Sequence, residues 1–166
     1  MAASRMRAKT RIVGRMPGQD GLETEWDKNG TKRSEGHCKN DKPDGLWTEW
    51  YENGRKSVES HYKNGKLVSI SSWKPDGKLS PLTKIVDGSG MMVRWHENGQ
   101  KAVEAHYKNG EPDGLWTYWY ENGKKSSEGR IKFDQQDGLW TYWDKNGQKK
   151  SEVDYKDGKE VSRQEF

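Results

Sequence analysis

The sequence predicts an all-β fold: a single-layer antiparallel β-meander built from about six β-hairpin repeats of 22–24 residues. Three observations carry this. Six tryptophans (Trp26, Trp50, Trp73, Trp95, Trp119 and Trp143) recur every 22–24 residues, each inside a variation of one phrase that is plainest at Asp44–Lys66 and Asp113–Gln136. A period in that range marks stacked supersecondary units, each too small to fold alone. Within a unit, alternating Thr, Trp, Tyr and Val are bounded by Asn-Gly or Asp-Gly, which reads as strands joined by tight turns. Composition supplies the third observation. Leu, Ile, Val and Phe make up about 13% of the 166 residues, a level that marks disorder when net charge is high. Here the net charge is only +4, and there are 9 Trp and 7 Tyr. The apolar surface is therefore mostly indole and phenol, enough for a thin structure and too little for a large aliphatic core.

Along the chain, residues 1–10 are expected to be disordered and 11–166 to form the array. Copies lie near 20–43, 44–66, 67–88, 89–112, 113–136 and 137–159, with half-copies at 11–19 and 160–166, where Phe166 takes the Trp slot. Each copy is one hairpin. Its turn carries Asn-Gly at 29–30, 53–54, 98–99, 122–123 and 146–147, with Asp76-Gly77 in the third copy. A two-residue type I′ turn is the common Asn-Gly solution. A three-residue turn with a glycine bulge instead places Trp50 opposite Lys56 and Thr48 opposite Val58. That register gathers Leu46, Thr48, Trp50, Lys56, Val58, Ser60 and Tyr62 on one face, so burial favours it. The turn at Tyr107–Glu111 is expected to repeat this logic, pairing Val103 with Leu115. In the third copy Leu79-Ser80-Pro81-Leu82 replaces the Lys-x-x-Glu strand, and Pro81 removes a ladder donor, so a bend or interruption is expected between Lys74 and Gly90.

The two faces vary differently. One face of the first strands reads Leu22/Thr24/Trp26, Leu46/Thr48/Trp50, Met91/Val93/Trp95, Leu115/Thr117/Trp119 and Leu139/Thr141/Trp143. This constant face is expected to be structural, because stacked neighbours must repeat. The other face wanders from Glu23/Glu25/Asp27 in the first copy to Trp116/Tyr118/Tyr120 and Trp140/Tyr142/Asp144 in the last two. This variable face is where specificity is expected.

No window approaches 18 apolar residues, so no membrane span is predicted. Met1 to Arg15 lacks the apolar stretch of a secretory signal, and a lone Cys38 fits a reducing compartment; the expected location is cytoplasmic.

Candidate chemistry is sparse. Lys and Glu recur three apart at Lys32/Glu35, Lys56/Glu59, Lys101/Glu104, Lys125/Glu128 and Lys149/Glu152. Catalytic carboxylates need a closed cleft and a raised pKa, which an open sheet does not offer. Each Lys is expected to sit across from the Trp of its own hairpin as a cation–π contact. His37, His61 and His106 share one slot on separate hairpins, too far apart for a metal, and the Asp/Asn/Gly loops lack a calcium site's remaining carboxylates. No cofactor, no metal and no enzymatic activity are expected. Cys38 fills a slot otherwise apolar. The remaining candidates are the variable-face rings Trp47, Tyr51, Trp116, Tyr118, Tyr120, Trp140 and Tyr142, a prospective protein-binding surface. Aromatic hairpins that bind cell-wall sugar or choline, and stacking of single-stranded nucleic acid, are the alternatives. The second is disfavoured by Glu residues between the rings.

The frame DG-L/M-W-x-x-W-Y-x-NG-x-K-x-x-E-x-x-Y-x-NG, clearest at Asp44–Gly65 and Asp113–Lys132, resembles the MORN repeat in the bacterial variant found in YwqK-family antitoxins of toxin–antitoxin systems. The resemblance covers roughly residues 20 to 160. It implies a β-hairpin array that serves as a protein-interaction scaffold, and a partner that is a toxin bound and silenced.

Overall fold

The computed structural model describes the backbone of residues 11–13 and all of residues 20–166. The expectation for residues 1–10 lies outside the described residues. Among the described residues, fourteen strands form one open antiparallel sheet in which every strand pairs with its neighbours in sequence. In order they are β1 (Arg11–Val13), β2 (Gly21–Trp26), β3 (Lys32–Lys39), β4 (Lys42–Trp50), β5 (Lys56–Lys63), β6 (Lys66–Ser72) and β7 (Lys84–Val86), followed by β8 (Ser89–Trp95), β9 (Lys101–Lys108), β10 (Glu111–Trp119), β11 (Lys125–Lys132), β12 (Gln135–Trp143), β13 (Lys149–Lys156) and β14 (Lys159–Glu165).

The turns are of two kinds, and each follows from its residues. At the Asn-Gly end, Gly54 N–H donates to Tyr51 O (3.0 Å), Tyr51 N–H donates to Arg55 O (2.8 Å), and Gly54 takes φ 77°. That is the predicted three-residue turn, with glycine where a side chain would be strained. At the opposite end the turns are two-residue type I′: Asn109 (φ 53°) and Gly110 (φ 80°) separate the pair Lys108 and Glu111. The expected pairing of Val103 with Leu115 is wrong: the turn is one residue shorter than expected and the register shifts again between Pro112 and Trp116, so that Val103 faces Tyr118.

The hairpin register also departs from expectation. Trp50 faces Lys56, as the three-residue turn requires, but the next pairs are Glu49 with Val58 and Thr48 with Glu59. A second bulge directly after the lysine inserts one residue and reverses the facing of the second strand. The same shift occurs in every hairpin with the Trp–Lys pair. The cause lies in the Lys-x-x-Glu spacing. On a regular strand residues three apart point to opposite faces, and the bulge lets Lys56 and Glu59 form an ion pair.

The reversal moves the core. Val58, Leu67, Ile70, Ile85, Met92 and Ala105 are buried together on the variable face. The constant face instead leaves Leu22, Leu46, Leu115 and Leu139 44–56% exposed. The constant face buries its middle row, with Thr24, Val93 and Thr117 at most 5% exposed, and is otherwise held by polar contacts.

The core gathers around the irregular third copy. There β6 and β7 share one aligned pair, Ile70 and Ile85, with an isolated bridge between Trp73 and Leu79. Pro81 lies in a turn, and the Thr83 hydroxyl stands in for the missing ladder, accepting from Val93 N–H (3.0 Å). At the turn end of the short β7, the third copy closes on itself and on the fourth: Gly88 N–H donates to Val68 O (2.8 Å), Gly110 N–H to Gly88 O (2.9 Å), and Leu67 N–H to Gly110 O (3.1 Å). The sheet stays in order and narrows here.

Candidate partner-binding face

On the constant face, successive copies are tied in one direction. Lys32 lies over Trp50, Lys56 over Trp73, Lys101 over Trp119 and Lys125 over Trp143, at 4.8–5.9 Å from the ring centroid. Each lysine thus covers the next copy's indole and not, as expected, that of its own hairpin. The bulge aims the lysine outward along the array. The Lys32, Lys101 and Lys125 ammonium groups also pair with Glu35, Glu104 and Glu128 at 2.6–2.9 Å, Lys56 pairs with Glu59, and in the last hairpin Lys149 pairs with Glu152 at 2.7 Å. The Lys32 ammonium holds the Glu35 carboxyl below its ordinary value, aided by the Thr24 hydroxyl against a desolvation cost. These carboxylates lie on the constant face and serve the ladder.

On the variable face, tryptophans lie flat across small residues. A Cβ on Gly36 or Gly129 would fall well under 3.0 Å from the rings of Trp47 or Trp140. Trp47 Nε1 donates to His37 O (2.9 Å), Trp140 Nε1 to Arg130 O (3.0 Å), and Trp116, across from Ala105, donates to His106 O (3.3 Å). The sequence carries the signal: each Trp in this slot follows Gly or Ala by eleven residues, whereas Ser60 precedes Ile70.

From there the rings run on as a strip. Centroids are 5.8 Å apart for Tyr107–Trp116, 6.0 Å for Trp116–Tyr118, 6.4 Å for Tyr118–Trp140 and 6.3 Å for Trp140–Tyr142. The Tyr142 and Tyr155 hydroxyls meet at 3.3 Å. Burial raises the phenol of Tyr118 and pushes that of Tyr107 up to about 12. In a chain with 34% charged residues, no paired position that β9 to β13 place on this face is charged.

The seven candidate residues thus separate. Trp116, Tyr118, Trp140 and Tyr142 come together, with Trp140 nearly covered at 3% exposure and supporting its half-buried neighbours. Trp47 lies in the N-terminal half. Tyr51 and Tyr120 sit at the Asn-Gly end, where their hydroxyls donate to Trp73 O (2.6 Å) and Trp143 O (2.8 Å) of the following copy. His96 fills the same slot, with Nε2 at 2.8 Å from Trp119 O. Tyr51 is 6% exposed, and burial pushes its phenol up to about 12.

At the N-terminal side of the strip, Arg94 on β8 reaches Glu49 on β4 with two bonds of 2.6 and 2.7 Å, which raises the guanidinium pKa against desolvation. Glu52 N–H donates to Glu97 Oε1 (2.8 Å), and Arg33 stands 3.9–4.0 Å from both carboxylates. These contacts skip the third copy and border a groove of about 530 Å³. Neither the cross-array pair nor the groove was apparent from the sequence, because the register decides which copies meet.

A family model described as "MORN repeat variant" matches residues 19–40, 43–64, 89–109, 112–132 and 136–157, more than half of the chain. The chain belongs to the MORN repeat variant family. The matched segments are the five regular copies, and the stretch this MORN array leaves unmatched, 65–88, holds the narrowed third copy. No curated protein matches the chain. Among the described residues no helix is long and apolar enough to cross a membrane.

Proposed function

We propose that this MORN array is a cytoplasmic, non-enzymatic scaffold whose variable face, from β9 to β13, binds a protein partner. One observation carries the reading: an uncharged strip of contiguous rings on a highly charged chain, in copies where the first copy has Glu23 and Glu25. Tyr and Trp anchor interfaces because they bury much area at little rotamer cost, and depletion of charge is the mark of an interface centre. Trp116, Tyr118 and Tyr142 are the candidate contacts, and Trp140 holds them in place. The resemblance to YwqK-family antitoxins makes a toxic protein, occluded by this face, the first partner to test.

The experiment is capture from source lysate by wild type and by a Trp116→Ser/Tyr118→Ser variant shown to be folded, followed by titration of the retained species in purified form. The reading expects a protein whose affinity falls at least tenfold in the variant and changes little between 50 and 200 mM salt. Equal affinity for both forms would refute the site. A retained nucleic acid, with affinity falling steeply in salt, would refute the scaffold reading.

A further inference from the structure

We propose that Asn146–Gly147, in the turn joining β12 and β13, is a site of spontaneous covalent modification: it loses ammonia, closes to a succinimide and opens to aspartate and isoaspartate, ahead of the chain's other Asn-Gly turns.

Asparagine before glycine is open to this reaction because a glycine without a side chain leaves its backbone nitrogen uncrowded. The Gly147 nitrogen gives up its proton and attacks Cγ of Asn146. The bond from Cγ to Nδ2 breaks, and Nδ2 leaves as ammonia. Water then adds to either carbonyl of the ring and gives aspartate or isoaspartate, with nothing oxidised or reduced. A side chain held by hydrogen bonds must release them to reach this geometry, so the turns differ by how each asparagine is held.

Three of the five Asn-Gly hairpin turns hold it at both ends. Asn53 Oδ1 accepts from Arg55 N–H (2.9 Å), Asn98 Oδ1 from Gln100 N–H (3.0 Å) and Asn122 Oδ1 from Lys124 N–H (3.1 Å). Their Nδ2 groups donate to the following copy, at Pro75 O (3.2 Å), Glu121 O (2.6 Å) and Lys145 O (2.7 Å). These turns begin with Tyr51, His96 and Tyr120. The other two begin with Asp27 and Asp144, and there the aspartate takes over the cap. Asp144 Oδ1 accepts from Asn146 N–H (2.8 Å) and Gln148 N–H (2.9 Å), as Asp27 Oδ1 does from Asn29 N–H (2.8 Å) and Thr31 N–H (3.0 Å). Asn29 and Asn146 are left exposed, with no side-chain hydrogen bond among the described residues.

One contact separates these two. The Lys124 ammonium donates to Asn146 O at 2.6 Å. That oxygen belongs to the same peptide group as the Gly147 nitrogen. Negative charge that develops as the nitrogen loses its proton is therefore shared with an oxygen already facing a cation. Gly147 N–H bonds inside its own turn, to Asp144 O (3.0 Å), so opening of that turn alone frees it. In the type I′ turns Gly65 and Gly110 donate instead to preceding copies, at Pro43 O and Gly88 O (both 2.9 Å).

The test is incubation of the purified full chain in mildly alkaline, ammonia-free buffer, with peptide mass spectrometry and isoaspartate methyltransferase labelling at each Asn-Gly turn. Deamidation at Asn146 should run about tenfold or more faster than at Asn53, Asn98 and Asn122, with Asn29 between them. Lys124→Met should slow Asn146 by about tenfold, the rate equivalent of one charge-assisted hydrogen bond, and leave Asn29 unchanged. In urea that unfolds the chain, the five rates should converge. An Asn146 rate no faster than the three clamped turns would overturn the proposal. So would a Lys124→Met variant that leaves Asn146 unchanged or slows Asn29 equally, or a ranking that persists in urea, which would assign the difference to local sequence and not to the fold.

Discussion

Gly129→Ala tests the packing of the variable face in a way that gives the sign of the effect as well as its size. Gly129 lies in a strand outside the left-handed region, so an alanine with free space would stabilise the protein by about 0.4–1 kcal/mol through the unfolded chain. The structure opposes that gain. The new methyl would stand well under 3.0 Å from Cγ, Cδ2 and Cε2 of Trp140, a ring only 3% exposed whose Nε1 bonds to Arg130 O at 3.0 Å. The indole must move outward. The chain contains the adapted form of this pair: Trp116 opposite Ala105 has a longer bond of 3.3 Å and is less covered than Trp140. Overpacking costs about 1–3 kcal/mol, and a weakened hydrogen bond up to about 1. Set against the backbone gain, a net loss of about 1–2 kcal/mol is expected, or about 3–6 °C in Tm. Thermal and urea melts followed by tryptophan fluorescence measure it. In a Trp140→Ile background, which copies the Ser60–Ile70 pair, the same alanine should be neutral or stabilising. If Gly129→Ala stabilises the wild-type array, or costs the same in both backgrounds, the small-residue rule is wrong.

Other outcomes follow from the cross-array and inter-copy contacts. Glu49→Gln and Arg94→Gln should each cost about 1–3 kcal/mol, reduced from the fully buried case because both side chains are about one-third exposed, and a double-mutant cycle should return a coupling above about 1 kcal/mol. Coupling near zero would mean the pair does not join copies two and four. A cycle of Lys101→Met with Trp119→Leu should give about 0.5–1 kcal/mol, while Lys125 with Trp119, in one hairpin, should give less; the reverse order would contradict the direction of the contacts. Glu35 has a carboxyl pKa lowered in the folded state, so its contribution is present above the ordinary glutamate value of 4.5 and lost as pH falls through the folded value. Stability of wild type should therefore fall with acidification over that window more than that of Glu35→Gln; parallel curves would refute the assignment.

The repeat frame, the strands and the Asn-Gly turn were legible because they depend on local signals: the tryptophan period, alternation and a glycine at the left-handed position. The facing of the second strands was not, because alternation defines two faces without saying where a single inserted residue exchanges them. Apolar counting placed Val58 with Trp50, while the structure places it with Glu49. The decisive cue was the Lys56…Glu59 spacing, which requires a bulge if the two are to meet. The candidate rings were recognisable as a class, but their roles depend on tertiary position. Tyr51 and Tyr120 follow Trp in sequence and bond forward to the next copy, whereas Tyr118 precedes Trp and joins the strip. Glu49 and Arg94, 45 residues apart, meet only because the third copy is short.

The pairing of a small residue with a later tryptophan also limits how such an array can lengthen by duplication. A second copy of 113–136 inserted in tandem would set Gly129 before another Trp116, a permitted neighbour. Duplicating 44–66 would set Ser60 before another Trp47, with a side chain where the indole must lie flat. Copies that look interchangeable along the constant face are therefore not interchangeable as genetic units. Each restricts the identity of its successor, and the order of copies along the gene is itself under structural constraint.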